Sequence, residues 1–189
     1  MWRGALRSIE FKKRSYEKIL VLGSGGGCVI YCIQNMLGIR RKNTHIIGID
    51  WDAVMIQMSM AVYGKNFLQE RNLKNLMHFI PDNRKDLTAS ENVTLFCGDV
   101  TEYIRQTKDF FDLIVIDIFH DTRLAPCIME GAFQDALTDR LAPDGNILLN
   151  CWRSQNELRD ICNKKFIIEK EVKSYWNNLL YMRRHYATH

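Results

Sequence analysis

Four glycines in five residues, Gly23-Ser24-Gly25-Gly26-Gly27, stand between an apolar run and a helical pattern and leave few architectures open. Lys18 to Leu22 is short and continuously apolar, as in a strand buried on both faces. Cys28 to Leu37 carries apolar residues at helical spacing, and Gly38 stops it. A strand that runs through glycines into a helix N-terminus points to an open α/β sheet. It is also where such sheets take up ligands. Glycine permits positive φ and close backbone approach, and the free N–H groups of the helix favour an electronegative group.

The same alternation continues. His45 to Asp50 forms a second buried strand, and Asp52 is positioned to cap a helix reaching about Tyr63, with Val54, Met55, Met58 and Val62 on one face. Residues 64–92 carry a weak signal and form either a partly helical insert or a flap. Val93 to Cys97 is a strand, Val100 to Thr107 a helix, and Phe111 to Asp117 the strongest strand of the chain. A helix is expected from Ile128 to Leu141, followed by a Pro143-Asp144-Gly145 turn into a strand at Asn146 to Trp152. A helix from Gln155 to Cys162 precedes strands at Lys165 to Glu169 and Asn178 to Arg183. The segment between these two strands is too short for a helical crossover, so they pair as an antiparallel edge hairpin. The expected fold is a Rossmann-like, doubly wound, mostly parallel sheet of seven strands that ends in that hairpin.

A length of 189 residues fits a single domain over 1–189, with residues 1–17 as an N-terminal extension. No apolar run approaches the roughly 20 residues that cross a bilayer, and no leader pattern is present, so a cytoplasmic protein is expected. The six cysteines are scattered without a C-x-x-C pair and read as free thiols, with no metal site. The net charge of +4 is mild, and the basic clusters at Lys12-Lys13-Arg14, Arg40-Arg41-Lys42 and Arg183-Arg184 read as solvated faces rather than a nucleic-acid groove.

The glycine turn fails the dinucleotide fingerprint G-x-G-x-x-G, because the last position is Cys28 when counted from Gly23 and Ile30 when counted from Gly25. It reads G-x-G-x-G, a looser pattern suited to a small cofactor bearing an amino acid. Asp50, at the end of the second strand, is placed to accept both hydroxyls of a ribose. Asp99, in Gly98-Asp99-Val100, is placed either to accept from an adenine amino group or to cap the next helix. Asp117 ends the fourth strand toward the same cleft, where it is a candidate anchor or base, with His120 and Asp121 close behind.

The segments IGIDWDAVMIQMS, GDVTEYI, FDLIVIDIFHD and LAPDGNILLN, together with Ile19 to Gly27, resemble the spermidine-synthase-like branch of the class I S-adenosylmethionine-dependent methyltransferases. The resemblance implies a cofactor site at Gly23, Ser24, Gly25, Gly26, Gly27, Asp50, Trp51, Asp99 and Val100. The cofactor would be S-adenosylmethionine or its decarboxylated form, and Asp117 would activate the acceptor. A homodimer is compatible with it. Three departures favour methyl over aminopropyl transfer. Gly48-Ile49-Asp50 replaces the usual E-I-D, and Asp117 and Asp121 lack the D-x-x-D-P and Gly-Pro context. Only about eighteen residues precede the first strand, where aminopropyltransferases carry a β-hairpin domain. Asp117, Asp121 and Glu130 would have to supply the acidity a polyamine needs, and Arg123 intrudes on them. The acceptor is left open, with aminopropyl transfer or a non-catalytic interaction module as the alternatives.

Overall fold

The computed structural model describes residues 1–67, 87–90, 92–120, 123–152, 156–173 and 177–185. The helices are α1 (Trp2–Ser8), α2 (Cys28–Leu37), α3 (Ala53–Phe67), α4 (Val100–Gln106), α5 (Gly131–Arg140) and α6 (Asn156–Asn163). The main sheet contains β1 (Lys18–Leu22), β2 (His45–Asp50), β3 (Leu87–Ser90), β4 (Val93–Cys97), β5 (Phe111–Ile116), β8 (Leu141–Trp152), β9 (Phe166–Lys173) and β10 (Asn178–Arg184). A separate small hairpin pairs β6 (Phe119–His120) with β7 (Arg123–Leu124).

The sheet order is β3-β4-β2-β1-β5-β8-β10-β9. β4, β2, β1, β5 and β8 are mutually parallel, while β10 runs antiparallel between β8 and β9. All seven expected strands and the antiparallel ending are present. The eighth strand, β3, lies in the segment whose sequence signal was weak and pairs antiparallel with β4. The chain leaves β1 for β2 on one side and returns to β5 on the other. The carboxyl ends of β1 and β5 therefore flank the reversal of winding, where open α/β sheets bind ligands.

Strand residues alternate between two buried layers. Ile19, Val21, Leu113, Val115 and Leu148 face one layer, closed by Leu6 of α1, Ile30 and Ile33 of α2 and Ile56 of α3. Leu20, Leu22, Ile114, Ile116 and Leu149 face the other, closed by Ile104 of α4, Phe133 and Leu137 of α5 and Leu158 of α6. This two-sided burial explains the continuous apolar runs in the central strands.

Several expectations need correction. The extension at residues 1–17 is built into the fold. Trp2, Ala5, Leu6 and Ile9 recur at helical spacing, and α1 buries all but Ile9, which follows its end and is buried too. In α3 the expected face of Val54, Met58 and Val62 points outward, while Ile56, Ser59 and Met60 are buried. Apolar residues encircle this helix, so periodicity could not choose its inner face. The Asp52 carboxylate fixes where the helix starts by accepting from Val54 N and Met55 N at 2.8 and 3.3 Å. The helix expected from Ile128 is instead a 3₁₀ turn at Pro126–Met129 followed by α5, because Glu130 between them is extended. The Pro143-Asp144-Gly145 turn lies inside β8 as a register shift against β5, and β9 continues to Lys173. The remaining expectations over residues 68–86, and those for Asp121 and Gln155, lie outside the described residues.

Candidate functional site

The glycine turn follows β1 with φ of 79° at Gly23, 47° at Gly25 and 79° at Gly27, all in the left-handed region that favours glycine. Gly23 is doubly constrained. A Cβ there would lie 2.4 Å from the Asp117 carbonyl oxygen, so the turn and the end of β5 meet backbone to backbone. Gly27 is the N-cap of α2, where no side chain competes for the first N–H groups.

Asp50 locks the turn. Its Oδ2 accepts from Gly25 N at 2.6 Å, and its Oδ1 accepts from Asp52 N at 3.0 Å. These bonds use one lone pair on each oxygen and leave the others for a ligand's hydroxyl groups. Gly48, two residues earlier on the same face, lets α2 settle onto the sheet. A Cβ at that point would come within 2.8 Å of Ile30 Cδ1 and 3.1 Å of Ser24 Cβ.

A cavity of about 520 Å³ opens over these strand ends, within the usual range for small-ligand sites. The structure brings Gly23, Ser24, Gly25, Gly26, Asp50, Trp51, Asp99, Val100 and Asp117 together around it, and only Gly27 among the expected residues does not line it. Trp51 is largely exposed and stacks with His120 at 6.5 Å between ring centroids. The Ser24 side chain is buried and its Oγ has no hydrogen-bond partner. An orphaned hydroxyl in a glycine cradle beside a helix N-terminus fits a cofactor that brings its own polar groups.

Asp99 caps α4, as one of its two expected roles. Its Oδ1 accepts from Thr101 N at 2.6 Å and Glu102 N at 3.2 Å. The Thr101 hydroxyl and these amides hold the carboxyl below the usual carboxylate range. All these bonds fall on Oδ1, so Oδ2 can still accept from a ligand.

Asp117 stands just beyond β5, half-buried. Its Oδ1 accepts from Asn150 Nδ2 at 2.7 Å. Burial pushes its pKa up to about 6, and the Asp50 charge adds to this, while the bond from Asn150 and the nearby Trp2 side chain pull the other way. A carboxyl group titrating near neutrality in a cleft is equipped to take up a proton.

Sequence reasoning missed Trp2, Asn150 and Met55. Asn150 was discoverable, because Ile116 pairs with Leu149 and the next step along both strands sets Asn150 opposite Asp117. The other acids expected near Asp117 do not join it here. Glu130 is exposed and does not line the cavity, Arg123 is exposed on β7, and Asp121 lies outside the described residues. Among the described residues no cluster of ligating side chains could hold a metal ion, and no helix is long and apolar enough to cross a membrane.

Residues 8–188 match the spermine/spermidine synthase domain family. Over 74 residues, 39% of this chain, the sequence is 35% identical to spermidine synthase of Dictyostelium discoideum, and the match spans 26% of that protein. The N-methyltransferase NodS of Bradyrhizobium japonicum WM9 shares the fold with a TM-score of 0.65 at 14% identity, over 96% of this chain and 93% of its own. The SAH-bound methyltransferase PaMTH1 of Podospora anserina does so with a TM-score of 0.62 at 14% identity, over 97% and 78%. S-adenosylmethionine or its decarboxylated form as cofactor accords with the family and with the cavity. The chain belongs to the spermine/spermidine synthase domain family, a branch of the class I S-adenosylmethionine-dependent methyltransferase superfamily.

Proposed function

We propose that this protein transfers a methyl group from S-adenosylmethionine to an acceptor whose proton Asp117 takes up. The observation that carries the reading is the Asp117 carboxyl, half-buried at the cofactor cavity with its pKa pushed up to about 6. The sulfonium supplies an already activated methyl group, so most of the protein's task is positioning. In this reading Asp50 holds the ribose, Asp99 Oδ2 and Val100 lie along the adenine, and Gly23 to Gly27 cradle the amino-acid end. Trp51 covers the adenosine from the solvent side. Asp117 accepts a proton from the acceptor as it attacks, and the Asn150 amide keeps the carboxylate oriented for that step.

Methyl transfer is preferred because, among the described residues, the wall that continues from Asp117 is mostly apolar and carries no carboxylate. Ile118, Phe119, Ala125 and Pro126 line it beside His120 and Cys127, without a second carboxylate for the distal ammonium of a diamine. Aminopropyl transfer from decarboxylated S-adenosylmethionine is the second reading, favoured by the match to a spermidine synthase. A cytoplasmic setting belongs to the proposal, in keeping with six free cysteines.

Calorimetric titration with both forms of the cofactor separates the readings. Tighter binding of S-adenosylmethionine, with turnover lost and binding kept in Asp117→Asn, is the expected result. Consumption of putrescine with release of methylthioadenosine would replace it with the second reading. Failure to bind either form would overturn both.

A further inference from the structure

From Ala53 to Gly64 the chain carries no charged side chain, and these residues make up most of α3. A helix on the surface of a domain turns charged and polar groups to the solvent, whereas one that is apolar all round is buried. α3 breaks this rule. Ile56, Ser59 and Met60 turn into the core, yet Val54, Met58 and Val62 are 62, 52 and 64% exposed. Spaced by four residues, these three form one stripe along the outer side, with Gln57 and Ala61 exposed beside them. Trp51, at 72%, stands just ahead of the helix.

The stripe is symmetric about Met58, with Val54 four residues before it and Val62 four residues after, each about 6 Å away along the axis. A second copy of α3 laid antiparallel across it, with a two-fold axis at Met58, sets Val54 against the partner's Val62 and Met58 against its own equivalent. Such reciprocal pairing is what an isologous interface requires. The size fits as well. Trp51, Val54, Met58 and Val62 together expose roughly 500 Å², near the upper end of the apolar patches that monomers leave bare. A standard interface covers roughly 800 Å² on each partner, so these side chains with Gln57 and Ala61 supply most of one. No charge on the stripe has to leave water for it to form.

We propose that the outer face of α3 is the dimer interface of this protein, where two copies pack antiparallel about Met58. The proposal is independent of the transfer reaction, and its test needs no cofactor.

The experiment is sedimentation velocity of the full chain over a wide range of concentration. The wild type should sediment as a dimer at the upper end. Met58→Glu sets two carboxylates against each other at the axis and should raise the dissociation constant of the dimer at least about tenfold. Val54→Lys and Val62→Glu should each weaken it too. In the chain that carries both, every lysine meets the partner's glutamate, so this variant should associate more tightly than either single one. All three positions are exposed, and circular dichroism checks that each variant keeps its helices. A dimer indifferent to Met58→Glu would put the interface elsewhere, and a double variant no tighter than the single ones would exclude the antiparallel register. Either result overturns the proposal. A wild type that stays monomeric overturns it as well: if Met58→Glu then lowers stability in urea, a segment of the same chain covers the face, and if stability is unchanged the face serves a different partner.

Discussion

Replacing Asp117 by Asn should make the protein more stable at alkaline pH while abolishing transfer, and the size of the gain follows from the carboxyl's surroundings. Its ordinary pKa of 3.8 becomes about 6 in the folded chain, with burial as the largest cause. Between these values the folded state keeps a proton that the unfolded state releases. Stability therefore falls as pH rises from about 4 to 6 and levels off above that. A shift of this size corresponds to about 3 kcal/mol at most, at roughly 1.4 kcal/mol per pH unit, and local relaxation reduces it toward 1–2 kcal/mol. Asn cannot ionise and escapes the loss. It also alters the hydrogen bond from Asn150, but that offset is nearly independent of pH and cancels between two pH values. The assay is urea unfolding of both proteins at pH 4 and pH 8. The stability difference, variant minus wild type, should be about 1–3 kcal/mol more favourable at pH 8 than at pH 4. A difference that is the same at both pH values, or that shifts against the variant at pH 8, would refute the idea that Asp117 is ionised at a cost.

Gly23→Ala should abolish cofactor binding by calorimetry and lower stability by at least about 2 kcal/mol, since positive φ strain adds to a Cβ 2.4 Å from the Asp117 carbonyl oxygen. Gly48→Ala meets only the ends of Leu95 and Ile30 and Ser24 Cβ, so it should cost about 1–3 kcal/mol, and the weakened cofactor binding should be partly regained with a smaller residue at Ile30. Asp99→Ala should cost about 1 kcal/mol in urea unfolding through the lost cap of α4, while Asp99→Asn keeps most of it. Asp50→Ala should remove cofactor binding outright, because it frees Gly25 N as well as deleting the hydroxyl acceptor, whereas Asp50→Asn should retain the turn and bind weakly.

The central strands, the glycine turn and the two strand-end carboxylates were legible because each depends on a local signal. Continuous apolar runs mark strands covered on both faces, and Asp50 and Asp117 each follow such a run at its carboxyl end. The inner face of α3 was not legible, since its apolar residues surround the axis and only the packing of Ile56, Ser59 and Met60 into the core shows which side turns inward. Trp2 was overlooked for a different reason. Its spacing with Ala5, Leu6 and Ile9 announces a helix, but only the strand parity of Leu113, Val115 and Asp117 reveals what that helix touches. Parity becomes informative once strand order is known, and strand order is a property of the whole chain.

The burial of α1 in one core with β5 and β8 also bears on the order in which the protein can assemble. Trp2 and Leu6 leave the ribosome well before the core residues Leu113 and Val115 of β5 and Leu148 of β8 are synthesised. The nascent N-terminal segment must wait, with its apolar face uncovered, until the parallel sheet has been laid down on both sides of β1. Such distant pairings slow folding and prolong exposure of sticky surface. Docking of α1 is thus a late step, and a polypeptide interrupted before β8 holds every glycine of the cradle but has Asp117 without the Asn150 donor.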